Sequence, residues 1–394
     1  MEIYLTDRVQ RIKPSATLAV AGRAEALKAA GKDIISLGTG EPDFDTPEHI
    51  KEAAIQAMRD GLTKYTDVAG TLSLRKAICE KFSNENGLSS YTPEQVLVSC
   101  GAKHSIFNLL LAVIQQGDEV IIPAPYWVSY PDMVLLSDGV PVIVPTTIEQ
   151  NFKITAAQLE QAITPKTRLL IINSPSNPTG MTYSLEELEA LGAVLAKYPQ
   201  VTIASDDIYE HILWTAAPFV NILNACPELI DRTVVINGVS KAYAMTGWRI
   251  GYAAGPSKLI AAMKKIQSQS TSNPCSIAQA AAQAALQGDQ SCVVQMNLAF
   301  KERHDYFYRA LNEIDSIDCL PADGAFYLFP SVQKAIDNNS QVLNDVDFAD
   351  YLLDKAEVAV VPGSAFGAPG CIRLSFATSF ENLLEAIKRI NSVV

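Results

Sequence analysis

The chain has 394 residues, 48% of them apolar, which sets two domains with sizeable cores as the expectation. Its 31 basic and 43 acidic side chains leave a net charge of −12 and a sequence pI near 4.9, which argues against nucleic acid or a membrane surface as partner. Seven cysteines (Cys79, Cys100, Cys226, Cys275, Cys292, Cys319, Cys371) form no CxxC pair, and four histidines (His49, His104, His211, His304) show no metal-ligand spacing, so reduced thiols in a cytoplasmic, metal-free protein are expected.

The N-terminus carries Glu2 and Asp7 and no uninterrupted apolar core, so no secretory signal is expected there. No apolar run reaches the length of a membrane span. Residues 1–45 do not fit the sheet pattern that follows and are expected to pack with the C-terminal part.

The first buried strand is expected at Val96–Ser99. It runs into Gly101-Ala102-Lys103 and then a helix with Ile106, Leu109, Leu110 and Val113 on one face. Small residues before a helix N-terminus let the backbone approach an anion, and a routine strand-to-helix turn is the other reading. A strand at Glu119–Pro123 leads into PAPYWVSYP, where Trp127 can stack on a flat ring or simply pack in the core. Strands at Val140–Pro145 and Arg168–Asn173 follow. The second of these breaks into a Ser-Pro-Ser-Asn-Pro-Thr-Gly loop whose prolines and glycine fix its shape, so that Asn177 can present its amide. Ser184-Leu185-Glu186-Glu187 resembles a capped helix start.

The strand Val201–Asp206 ends in a carboxylate, followed by Asp207 and Tyr209. A buried carboxylate at that place can hold the pyridine nitrogen of pyridoxal phosphate protonated, or it can cap a helix. The strand Val234–Val239 is followed by Ser240 and Lys241, then Arg249 and a strand Arg249–Gly255. A lysine ending a buried strand is expensive as a cation but useful as an amine that condenses with an aldehyde cofactor; a snorkelling lysine is the bland alternative. Ser240 and Arg249 would be phosphate ligands beside it.

From Leu259 a helical segment runs through alanine-rich Ala278–Ala285 and is expected to leave the large domain. A charged helix at Lys301–Asn312 precedes short strands at Ala325–Phe329, Val358–Val361 and Cys371–Phe376, then a helix over Ser379–Ser392. Arg373 lies between apolar neighbours, suited to a carboxylate with two parallel hydrogen bonds or else an edge arginine facing water. The fold expected is α/β: a large domain over 46–290 with a mostly parallel sheet of seven strands flanked by helices, and a small α+β domain over 291–394.

The segments GTGEPDFDTP, KYTDVAG, PAPYWVSYP, NSPSNPTG, SDDIYEH, NGVSKAYAMTGWRIGYAAG and AEVAVVPGSAFG together resemble the class I aminotransferases of pyridoxal-phosphate fold type I. The resemblance covers essentially the whole chain and is nearest to the bacterial aspartate aminotransferases, including the subgroup that also acts on prephenate. It implies pyridoxal 5′-phosphate bound through Lys241, which also shuttles the proton. Asp206 would meet the pyridine nitrogen, and Tyr209 and Asn177 the phenolic oxygen. Gly101, Ala102, Lys103, Ser240 and Arg249 would surround the phosphate, with Trp127 stacked on the ring. Arg373, Asn177 and the Gly40 backbone would take the substrate α-carboxylate, and Lys13 and Ser15 would touch a distal carboxylate. Tyr65 would reach the neighbouring subunit's phosphate, which implies a homodimer with shared sites. Ala102 stands where a second glycine is frequent, which matters little if its φ is negative.

The implied reaction is ping-pong transfer of the amino group of aspartate to 2-oxoglutarate, with prephenate or aromatic amino acids as the alternative. A fold-related C–S lyase or decarboxylase is the rival enzyme class. A transcription regulator would need a basic winged-helix segment, and none is seen before residue 13; a nicotinamide dehydrogenase would need G-x-G-x-x-G after an early strand.

Overall fold

Apolar, β-branched runs build a central sheet, and burial on both faces explains why most of them do not alternate, whereas the edge strand Val140–Pro145 stays largely exposed. The structure, a computed structural model, describes residues 3–394, so Glu2 lies outside it. The sheet has seven strands, in spatial order Val96–Ser99, Gly251–Ala254, Thr233–Gly238, Thr202–Asp206, Thr167–Asn173, Glu119–Ala124 and Val140–Pro145. All neighbours run parallel except Gly251–Ala254, which is antiparallel to both of its partners. The expected strand over Arg249–Gly255 shortens at its start because Arg249 sits at φ 55°, a left-handed conformation that no strand continues.

Alternate residues of each strand face opposite layers. Leu97, Val120, Leu169, Ala204 and Val234 pack against the helices Ala102–Val113 and Ser257–Ser270. Val98, Ile121, Leu170, Ile203 and Val235 pack against Glu48–Arg59, Leu72–Asn86, Leu185–Leu195 and Ser276–Gln287. Ser184 caps its helix as its sequence suggested, accepting a hydrogen bond from the Glu187 N–H.

The helical segment after Leu259 differs from expectation. It is two helices, Ser257–Ser270 and Ser276–Gln287, separated where Pro274 removes a donor and Ser272 turns to φ 60°. Both stay on the sheet. The helix expected at Lys301–Asn312 begins ten residues earlier, at Ser291. Val293, Met296, Phe300, His304, Phe307 and Leu311 form its buried stripe, while exposed Val294 and Leu298 blur the period in its first half.

The C-terminal part has its own apolar cluster, built around Phe300, Phe326, Phe348, Ile372 and Leu383. The run Val358–Val361 splits into two strands with different partners. Val358–Ala359 pairs parallel with Ile35–Ser36, and Val361–Pro362 pairs antiparallel with Ile372–Ser375. Ile372–Ser375 is the middle strand of three, with Tyr327–Leu328 on its other side. Ala24 and Ile34 bury against Leu353 and Ala359, which ties the N-terminal segment to this region. Arg8 and Arg11 instead reach across to Asp138, at 2.6 and 2.5 Å. Among the described residues no helix is long and apolar enough to cross a membrane.

Candidate active site

Three neighbouring strands carry reactive residues to one edge of the sheet. Asn173 and Asp206 are register partners at the carboxyl ends of adjacent parallel strands. The next strand stops at Gly238, and the chain turns there to bring Lys241 to the same edge. A cavity of about 380 Å³ opens above them, walled also by Trp127, Tyr327 and Arg373.

Lys241 does not snorkel outward. Its ammonium donates to the Gly40 carbonyl at 2.6 Å, although the residue as a whole is only half-buried. Loss of water brings its pKa down to about 8; Glu41 and Asp206 oppose that shift, and Arg373 and Arg249 add to it. A lysine so poised is about one-tenth neutral at pH 7, far more than an unperturbed lysine would be.

Asp206 is 4% exposed, and no helix follows it, so it is not a helix cap. Its Oδ2 accepts a hydrogen bond from the Tyr130 hydroxyl at 2.5 Å. Its Oδ1 is buried and has no partner. Burial pushes the carboxyl up to about 6, against the pull of the Tyr130 hydroxyl, the Ile208 N–H and Lys241. An orphaned carboxylate oxygen in a cavity is a place for a ligand donor.

Tyr209 exchanges a 2.8 Å hydrogen bond with Tyr327, and burial holds its hydroxyl protonated. Arg373 is 1% exposed in a middle strand, which removes the reading of an edge arginine facing water. Its Nη1 donates to Asn177 Oδ1 at 2.9 Å and its Nη2 to the Gly38 carbonyl at 2.6 Å. Its guanidinium lies 4.5 Å from the Tyr327 ring centroid and 5.1 Å from that of Phe366. Two of its five N–H groups are thus held by the protein, and Nε is buried without a partner. Asn177 is itself anchored, its N–H donating to Asn173 Oδ1 at 2.8 Å, while Asn173 Nδ2 donates to the Asp206 carbonyl at 2.9 Å.

Gly101 caps the helix Ala102–Val113 at φ 85°, and a Cβ added there would run into the Arg249 guanidinium. Ala102 is the first helical residue and is not among the positive-φ positions, so it fits without strain. The Lys103 ammonium sits 4.8 Å from the Trp127 ring centroid and is shifted down by burial and then by Arg249, although the residue as a whole is exposed. Arg249 is held by the carbonyls of Thr246 and Cys100, at 2.8 and 3.4 Å. Ser240 is buried and lines the cavity beside them. The set offers free helix N–H groups, two cations and a hydroxyl at one end, and an amine and an unpartnered carboxylate oxygen at the other. Those are the donors and acceptors that pyridoxal phosphate requires, so the residues fit the expected group.

Gly40 lines the cavity, where a Cβ would strike the Tyr327 hydroxyl. Ser15 also lines it and bonds the Thr17 hydroxyl at 2.9 Å. Lys13 is exposed and is not among the lining residues; its backbone N–H meets Asp132 at 3.3 Å. Tyr65 is 92% exposed and lies away from this cavity, in a surface groove with Asn273 and Ile277.

Sequence reasoning did not single out Tyr130, Tyr327 or Asn173. Tyr130 lies three residues beyond Trp127, in the first turn of the helix Ser129–Leu136, and that spacing was the available signal. His211 lies with Glu85 and Glu210, and the ligand atoms of the three come within 4.8 Å of one another. The Lys81 ammonium occupies that cluster, bonded to Glu210 and 3.5 Å from Glu85.

A family model described as "Aminotransferase class I and II" matches residues 32–390. The chain is 63% identical over 395 aligned residues to an aspartate/prephenate aminotransferase of Nitrosomonas europaea, covering 99% of each. It is 53% identical to another of that name from Cereibacter sphaeroides, covering 99% of this chain and 98% of that one. Among solved structures, an aspartate aminotransferase from Rhizobium meliloti superposes with TM-score 0.96 at 47% identity, covering 100% of this chain and 99% of that one. One from Thermus thermophilus with maleate gives 0.94 at 43% identity, covering 100% of both.

Proposed function

The chain belongs to the class I and II aminotransferases, and from that membership we propose that it moves the amino group of L-aspartate to 2-oxoglutarate, giving oxaloacetate and L-glutamate. The observation that carries this reading is the meeting of Lys241, Asp206 and Arg373 in one cavity. When bound, pyridoxal phosphate supplies an aldehyde, an electron-withdrawing ring and a place to hold the amino group between two half-reactions.

The chain's own residues divide the remaining work. Lys241 holds the cofactor, and its ε-amine then takes and returns the proton at the substrate Cα. Asp206 keeps the ring nitrogen protonated through Oδ1. Tyr209 and Asn177 hold the phenolic oxygen. The backbone at Gly101 and Ala102, with Lys103, Ser240 and Arg249, would surround the phosphate, the Ala102 N–H being free to donate while that of Gly101 is taken by the Ser99 carbonyl at 2.8 Å, and Trp127 would stack on the ring. Arg373, steadied by Asn177 beside the Gly40 backbone, receives the substrate α-carboxylate with its remaining N–H groups. Ser15 and Lys13 serve a distal carboxylate, Ser15 from the cavity wall and Lys13 only by a movement of the N-terminal segment.

A second substrate, prephenate, is favoured by the names of the relatives from Nitrosomonas europaea and Cereibacter sphaeroides. Steady-state kcat/KM with aspartate, glutamate, phenylalanine and prephenate ranks these donors, and release of pyruvate and ammonia from cystathionine without a keto acid would instead support a lyase. Division into 46–290, 291–394 and an N-terminal segment 1–45 that follows the latter is supported by the separate apolar clusters and the Ile35–Ser36 pairing. A homodimer is supported by Tyr65, which is exposed outside its own cavity, as is Leu62 three residues before it. Seven free thiols support a cytoplasmic location.

A further inference from the structure

Asp206 must do two things to hold a ring-nitrogen proton: stay ionised while buried, and keep one oxygen turned into the cavity. Neither is automatic. A carboxylate at 4% exposure has lost its water, and its side chain has a soft terminal torsion. Resting on the function proposed above, we propose that Tyr130 is the positioning residue that keeps Asp206 ionised and oriented.

The Tyr130 hydroxyl donates to Oδ2 at 2.5 Å, which leaves Oδ1 as the oxygen without a partner. Tyr130 is 2% exposed, so the bond is shielded from bulk solvent. The other groups facing this carboxylate are the Ile208 N–H, Lys241 and Tyr209. Lys241 directs its ammonium to Gly40 and Tyr209 its hydroxyl to Tyr327, so among the described residues Tyr130 is the sole side-chain donor on Asp206. Asp207, also near Tyr130, is occupied by Ser205 and Asn221. A hydroxyl that gives its proton to a carboxylate favours the charged form and pins the torsion at once. Tyr130 also stands edge-on to Trp127, with centroids 5.3 Å apart and planes at 87°, and its N–H bonds the Trp127 carbonyl at 3.0 Å. One residue therefore braces both the Asp206 carboxyl and the Trp127 indole.

The test is Tyr130→Phe, which keeps the ring against Trp127 and removes only the hydroxyl. In apoprotein, carbon NMR of the Asp206 carboxyl should show its titration midpoint displaced upward by about one pH unit. In holoprotein the dissociation constant for pyridoxal phosphate should rise about tenfold, or about 1.4 kcal/mol. In an Asp206→Asn background the same change should alter affinity by less than about twofold. An unmoved midpoint, or an equal loss of affinity in the Asp206→Asn background, overturns the proposal; the latter would assign Tyr130 to packing alone. In unmodified apoprotein a slowly exchanging, downfield Tyr130 hydroxyl proton is also expected, and its absence overturns the proposal without any variant. If the parent fails to bind pyridoxal phosphate, the functional reading falls, while the apoprotein titration still decides the Tyr130–Asp206 bond.

Discussion

Arg373→Lys keeps a cation in the middle strand and removes the fork. In the structure Nη1 and Nη2 each hold a protein acceptor, Asn177 and Gly38, and the remaining N–H groups are the ones a carboxylate can take. A lysine has three donors at a single atom, so it cannot serve both anchors and grip a carboxylate with two parallel bonds. Losing one charge-assisted bond of about 1.5–3 kcal/mol predicts a fall of about 10- to 150-fold in kcat/KM for aspartate. Arg373 makes no contact with the phosphate cradle, so cofactor content should stay at the parent level. The assay is steady-state kinetics alongside the cofactor absorbance of the purified variant. A kcat/KM within about threefold of the parent, or a fall explained wholly by lost cofactor, refutes the assignment of Arg373 to the substrate carboxylate.

Gly101→Ala forces a side chain to φ 85° and into the Arg249 guanidinium; strain of about 1–2 kcal/mol plus a displaced Arg249 should weaken pyridoxal phosphate binding at least tenfold, measured by equilibrium dialysis. Lys81→Met strands the Glu210 carboxylate at 6% exposure with its cation gone, so a loss of about 3–5 kcal/mol is expected in denaturant unfolding, and Lys81→Met with Glu210→Gln should recover most of it. Capture of pyridoxal phosphate by apoprotein needs neutral Lys241. Because its pKa is lowered to about 8, the capture rate in stopped flow should climb with pH to a midpoint near 8 and then level, whereas a midpoint near 10 would show an unshifted lysine.

The sheet was legible because strands buried on both faces leave long apolar runs, and the polar residues ending those runs stood out: Asp206, Asn177 and Lys241. Arg373 was legible for the converse reason, a charge set among apolar neighbours. Tyr130, Tyr327 and Asn173 were not, because an aromatic or amide near an apolar segment looks like packing until its partner is known. Their partners lie 76, 118 and 33 residues away in sequence. The same distance hid the cluster of Lys81, Glu210 and His211, where Lys81 and Glu210 are 129 residues apart. The early start at Ser291 escaped because Val294 and Leu298 are apolar yet exposed. Helix periodicity reports a buried face only when the opposite face is polar.

Lys241, Asp206 and Arg373 are proposed together to transfer an amino group and not to release it. Purified holoprotein should be mixed with aspartate in the absence of any 2-oxo acid, and the products counted. One oxaloacetate per chain is expected, with no free ammonia, and no oxaloacetate at all from Lys241→Ala. Continued turnover with ammonia release, or a Lys241→Ala variant that matches the parent, would contradict that proposal.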